Sequence, residues 1–243
     1  MFSGIKYFLS GFSLIFRSGI KRFVIVPLAI NISIFAFGFW LGLTWFDSFL
    51  ASMLPDWLSW AEFILWPLFA LSYFLIVFYL FALLANIIAA PFNGLLAERV
   101  ELQLRGDTSQ LPQSAFHQII KELPRTIGSE INKLFYFLLR SLPLLILFLI
   151  PGVNILAPII WFLFSAWMLS LEYLDYPLGN HNILFKQTRT LVKQQRAKCL
   201  SFGALISAFT MIPIINFIVM PIAVAGATAF FVDSIKLDSV SKQ

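Results

Sequence analysis

Charge is what this sequence has least of. Only 12% of its 243 residues are Asp, Glu, Lys or Arg, against about 25% in a soluble globular chain. Hydrophobic residues make up 60%, and 28 residues are phenylalanine. So little polar surface excludes an ordinary soluble enzyme, a disordered chain and a secreted disulfide scaffold. Cysteine is nearly absent: the single Cys199 excludes an internal disulfide and any Cys-cluster metal site. The two histidines, His117 and His181, have no Cys, Asp or Glu at ligand spacing, so no metal is expected and both read as solvated loop residues. H-E-x-x-H, G-x-S-x-G and P-loop patterns are all missing, which leaves no enzyme constellation and no cofactor.

The missing charges are missing in blocks. Residues 23–46 and 63–90 carry none at all. At 1.5 Å per residue each run is long enough to cross a hydrocarbon core about 30 Å thick. Between them, residues 47–62 hold three acids and no Lys or Arg, with Trp45, Trp57, Trp60 and Trp66 close by as an interfacial aromatic belt would be. The first 22 residues carry four basic side chains and no acid. Basic residues stay on the cytoplasmic side, so the N-terminus is expected there and residues 47–62 outside. Residues 91–140 mix both signs and read as cytoplasmic amphipathic helices broken near Gly106 and Pro112.

Two further apolar blocks, residues 141–176 and 199–235, are flanked by basic residues expected in the cytoplasm, so each must enter and leave on one side. Two full spans need roughly 40 apolar residues plus a turn. Each block is also interrupted near its middle, at Pro151 and Asn154 and again at Pro213 and Asn216, in a shared I-P-x-x-N pattern. The reading is an all-α integral membrane protein forming a single membrane domain over residues 1–243. It has two long transmembrane helices, two half-penetrating helical hairpins and cytoplasmic amphipathic helices, with both termini in the cytoplasm. A pair of thin, tilted full spans per block is the alternative.

Three features could bind an anion. Pro91 is expected to stop the second span, with Asn93 capping a new helix whose first amides, at Gly94, Leu95 and Leu96, lack intrahelical acceptors. Such a helix start attracts anions, although an ordinary capped helix explains the same residues. The doublet Lys21, Arg22 precedes the first span on the same membrane face. It either anchors the span to lipid headgroups or converges with those amides on a small dianion. Lys186, Arg189, Lys193 and Arg196 fall on one helical face, which suits anionic lipid or a positive vestibule. Nothing suggests nucleic acid.

Several stretches match a known family. They are Ser10-Gly11-Phe12, Gly19-Ile20-Lys21-Arg22-Phe23-Val24-Ile25-Val26-Pro27 with Asn31, the run Ala90-Pro91-Phe92-Asn93-Gly94-Leu95-Leu96-Ala97-Glu98, and the proline-bearing tips. On these the chain resembles the bacterial CysZ sulfate permeases over nearly its whole length. The resemblance implies a multi-pass protein of the bacterial inner membrane that imports sulfate for assimilation into cysteine. It also implies homo-oligomers and a sulfate site at the basic doublet, where relatives are expected to carry two arginines. Lys21 keeps that charge but loses the planar fork. On this reading Lys21, Arg22 and the Gly94, Leu95 and Leu96 amides hold sulfate. Glu98 pairs with and positions Arg99, Arg105 or Arg125, and transport is channel-like or weakly ion-coupled. The rival expectation is a non-transporting membrane scaffold that docks sulfate-assimilation enzymes.

Overall fold

The computed structural model describes residues 3–53, 62–106 and 115–235. Among these the chain is helical, with no strand. The helices are α1 (Ser3–Ile15), α2 (Lys21–Met53), α3 (Glu62–Arg105), α4 (Ala115–Leu147), α5 (Ala157–Asn180), α6 (Phe185–Gln194), α7 (Arg196–Thr210) and α8 (Pro213–Ser234). The fold divides into two compact units, Ile25–Phe92 and Met1–Val24 with Asn93–Gln243.

In the smaller unit α2 and α3 pair through aromatic side chains. Phe46 stacks on Phe69, Phe69 on Tyr73, and the Tyr73 hydroxyl donates to the Gly38 carbonyl at 2.6 Å. Gly42 lies directly against the Tyr73 ring. The outward surface is apolar: Ile32, Phe37, Trp40, Trp45, Phe63 and Leu71 are all exposed. Water is a poor solvent for such a surface, and lipid is a good one. Among the described residues two helices are long and apolar enough to cross a membrane, Lys21–Phe46 and Ala157–Asn180. The second expected span begins as an apolar helix, Phe63–Val77, and its backbone stays helical beyond that point.

The larger unit is built round α8. Val219, Ile222, Ala223, Val224, Ala225, Ala227, Phe230 and Phe231 are all buried, so the stretch from Ile222 to Phe231 is covered on every side. Small residues let its neighbours approach closely. A Cβ on Gly11 of α1 would meet the Ile222 carbonyl at 2.1 Å, and one on Gly203 of α7 would meet the Ala166 carbonyl of α5 at 1.8 Å. The α1 helix itself has no counterpart in the sequence reading, which treated residues 1–22 only as a basic leader. Its Tyr7, Phe8, Leu14 and Ile15 form a buried face, and Tyr7 stacks on Phe230.

The structure corrects the expected boundaries. α3 is one helix of 44 residues that runs through Pro91, so no helix begins at Asn93. A proline inside a helix costs about 3 kcal/mol, and the long helical stretches on either side offset it. α4 continues from the mixed-charge segment into the apolar block without a break at residue 141. The two hairpin turns also differ. Residues 148–156 form the first, with Pro151, Asn154 and Gly152 (φ 84°) inside it. The second is only Met211 and Ile212. Pro213 starts α8, and the Asn216 amide already donates to the Ile212 carbonyl, so Asn216 lies within the helix rather than in the turn.

Candidate anion-binding site

A short loop, residues 16–20, joins α1 to α2. Gly19 takes φ 85°, a left-handed conformation that only glycine adopts without strain. The Arg17 carbonyl accepts from the amides of Ile20 (3.2 Å) and Lys21 (3.4 Å), which closes the turn. Ile20 is fully buried in the same core cluster as Leu96, Ala97 and Val100 of α3. This anchor fixes Lys21 and Arg22 at the start of α2, both exposed, with the Arg22 guanidinium 4.9 Å from the Phe23 ring centre. Arg99 comes to the same loop from α3: its guanidinium lies 3.5 Å from where a Cβ on Gly19 would stand. Arg17, Lys21, Arg22 and Arg99 thus concentrate positive charge round one turn. The sequence reading placed the doublet here, but gave Arg99 only as one of three possible partners of Glu98.

The amides of Gly94, Leu95 and Leu96 are a different matter. They sit inside α3, where each has a preceding carbonyl to bond, so they are not the free donors of a helix start. Leu96 is buried, and the Gly94 carbonyl accepts from Asn180 Nδ2 of α5 at 2.9 Å. The polar group left without a partner is the neighbouring Asn93. Its side chain is 6% exposed, and its Nδ2 has no hydrogen-bond partner among the described residues. A buried amide with an unused donor is uncommon. Its only sequence signal was an asparagine on the apolar face shared with Leu96, Ala97 and Val100.

Arg105 was one of three cations, with Arg99 and Arg125, expected to pair with Glu98. Arg105 Nε bonds Glu101 at 2.8 Å, one turn back on the same helix. The buried Glu101 carboxylate also meets His181 Nε2 at 2.9 Å through both oxygens. His181 follows α5, where Asn182 (φ 62°) reverses the chain. Phe231 packs beside both side chains, 5.1 Å from the His181 ring and 5.9 Å from the Arg105 guanidinium. His181 is therefore a hydrogen-bond partner of Glu101 that links the end of α5 to α3, not a solvated loop residue. The side chains of Arg125 and His117 lie outside the described residues.

A second buried cluster ties α4, α5 and α6 together. Lys133 Nζ stands 2.9 Å from Asp175 and 3.5 Å from Glu172. The Thr188 hydroxyl donates to Asp175 at 3.0 Å, and Tyr176 bonds Glu172. Glu172 and Asp175 had been read as acids solvated at a block end. Their spacing of three, which puts both on one helical face, was the available clue. Among the described residues no group of His, Cys, Asp and Glu could hold a metal ion.

These features define an all-helical protein with helices fit to cross a membrane and a cation-rich loop at the foot of one of them. The chain belongs to the family described as Sulfate transporter CysZ/Etoposide-induced protein 2.4, which matches residues 7–221. It is 47% identical to the sulfate transporter CysZ of Salmonella typhimurium over 95% of this chain and 92% of that protein. Proteins with the same description from Salmonella paratyphi A and Salmonella typhi are 46% identical over the same shares.

Proposed function

We propose that this protein imports sulfate across the bacterial inner membrane for assimilation into cysteine, as a channel-like or weakly ion-coupled homo-oligomer. The observation that carries the reading is the meeting of Arg99 with the loop before Lys21 and Arg22. Arg22 and Arg99 offer planar forks of donors matched to a tetrahedral oxyanion, and Lys21 adds a mobile charge. The Asn93 amide, buried and unused on the same stretch of α3, is a further donor. Gly94, Leu95 and Leu96 serve as the wall that positions these groups rather than as amide ligands. Glu101 stays with Arg105 and His181, where its charge is neutralised and does not repel the anion.

On this reading the two apolar pairs α4–α5 and α7–α8 are half-penetrating hairpins within one membrane domain, with both chain ends in the cytoplasm. α7 has 15 residues, about 22 Å at 1.5 Å per residue, which is short of a hydrocarbon core about 30 Å thick. Names of relatives that transport sulfate support the substrate, and the cation-rich loop supports the site.

Sulfate uptake into proteoliposomes carrying only this protein tests both. Arg22→Ala is expected to lower the initial rate by about tenfold, the loss of one charge-assisted bidentate contact, and Lys21→Ala by less. Parental uptake in Arg22→Ala together with Arg99→Ala would remove the site assignment. No flux from the parent protein would favour the docking scaffold instead.

A further inference from the structure

α5 ends in a tight turn. The Ile183 amide donates to the Leu178 carbonyl at 3.1 Å and the Asn182 amide to the Gly179 carbonyl at 2.9 Å, with Asn182 left-handed at φ 62°. This pair of bonds closes a helix end and holds the residues inside it in one orientation. Leu178 and Ile183, both buried, root the turn in the core cluster that also contains Leu96, Ala97 and Val100 of α3. The two residues that the turn presents, Asn180 and His181, both bond α3. Asn180 Nδ2 donates to the Gly94 carbonyl at 2.9 Å, and His181 Nε2 meets the buried Glu101 carboxylate at 2.9 Å through both oxygens.

Gly94 and Glu101 are seven residues apart. At 3.6 residues per turn that is two turns of α3, about 10 Å along the axis and within about 20° of one line. One end of α5 therefore grips one face of α3 at two heights. The packing of Leu96, Ala97 and Val100 is non-directional, whereas two hydrogen bonds to fixed atoms set the rotation of the helix. Gly94 has no side chain of its own to do so. Among the described residues, the one atom outside its own stretch of α3 within 4 Å of a Cβ placed there is Asn180 Oδ1, at 3.6 Å. Arg99 stands about 200° round the helix from Glu101, on the far face, where its guanidinium reaches Gly19. A rotation of α3 by about 20° would move a side-chain tip at the outer radius of about 5–6 Å by about 2 Å. A hydrogen bond does not tolerate such a shift.

We propose that Asn180 and His181 are positioning residues for the sulfate site. They fix the rotation of α3 and so aim Arg99 at the loop of Lys21 and Arg22, without touching the anion themselves. This role rests on the sulfate reading of that loop, and its signature is an effect on affinity that passes through Arg99.

The test is sulfate uptake into proteoliposomes with KM and Vmax read separately, beside the thermal midpoint of each purified variant. Arg99→Ala is expected to raise KM by about tenfold, the loss of a hydrogen bond to a charged group. Asn180→Ala with His181→Ala should raise KM by about threefold to tenfold and leave Vmax within about twofold of the parent. The same pair added to Arg99→Ala should change KM by less than about twofold, since no guanidinium is left to aim. Asn180→Gln with His181→Gln keeps a donor at both places and should stay within about twofold of the parent. A KM effect that multiplies on top of Arg99→Ala overturns the proposal. So does a fall in Vmax or midpoint with KM unchanged, which is what a purely structural tie gives, and so does a Gln pair as weak as the Ala pair. If the Ala pair does not fold, Asn180→Ala alone, at an exposed position, carries the same test. Parental KM in Arg99→Ala with a raised KM in Arg22→Ala keeps the site at the doublet and overturns the positioning role alone. Parental KM in both removes the sulfate site itself, and the positioning role with it.

Discussion

At the residue scale the sharpest consequence attaches to Lys133. A buried ion pair contributes little net stability, but removing one partner leaves the other as an uncompensated buried charge. Lys133→Met is expected to cost about 3–5 kcal/mol, read as a lower thermal midpoint of the purified protein. Lys133→Met with Asp175→Asn should recover at least half of that loss, because the neutral amide still accepts from Thr188. A midpoint for Lys133→Met equal to the parent's would mean that water reaches the cluster. Beyond the three-residue spacing of Glu172 and Asp175, none of this was legible in the sequence. Lys133 sat among mixed charges, and Glu172 and Asp175 bounded an apolar block, as interfacial acids do. Pairing across α4 and α5 is a tertiary fact that only the hairpin creates. The same holds for Glu101 and His181, 80 positions apart in the chain. Lys21 and Arg22 were legible because a basic doublet before an apolar run has few alternatives.

At the scale of elements, the apolar blocks announced most of the helices, because an uncharged run of more than 20 residues has one economical fold in lipid. Where the reading failed, local signals were overruled by context. Pro91 stops a helix in isolation, yet α3 passes through it because both flanks are strongly helical. α1 was invisible because its buried face, Tyr7, Phe8, Leu14 and Ile15, is short and interleaved with glycine. Those glycines are where the elements are most vulnerable. Gly203→Ala places a methyl group 1.8 Å from the Ala166 carbonyl, so α5 and α7 must separate. A loss of about 1–3 kcal/mol is expected, the usual cost of overpacking. Gly38→Ala meets nothing within 4 Å. It should stabilise α2 by about 0.5–1 kcal/mol, the helix propensity difference. Thermal midpoints of the two variants should therefore move in opposite directions, and a shared direction would mean that the α5–α7 crossing yields without strain.

At the scale of the whole molecule the energetics of an anion matter. Against an interior negative by 100 mV, a dianion entering alone works against about 4.6 kcal/mol, at 2.3 kcal/mol per charge. Uptake on the proposed reading therefore needs a consuming reaction inside or a driving ion, and the chain carries no ATP-binding loop to supply the work. The fold also fixes an order of events. α8 is the most completely enclosed helix, and its main partner on one side is α1, made some 200 residues earlier. At about 5–20 residues per second, the face of α1 that carries Tyr7 and Phe8 waits tens of seconds for its cover. Ile218–Ser234 is an apolar helix, and from Ile222 to Phe231 it finishes with protein on all sides. A chain ending at Ile212 is expected to associate with membranes yet aggregate on extraction, and supplying residues 213–243 as a separate peptide should restore a soluble, monodisperse fraction. Failure of that peptide to rescue would place the last helix early in assembly. With rescue, α8 is a keystone: nothing beneath it settles until residues 213–234 are in place.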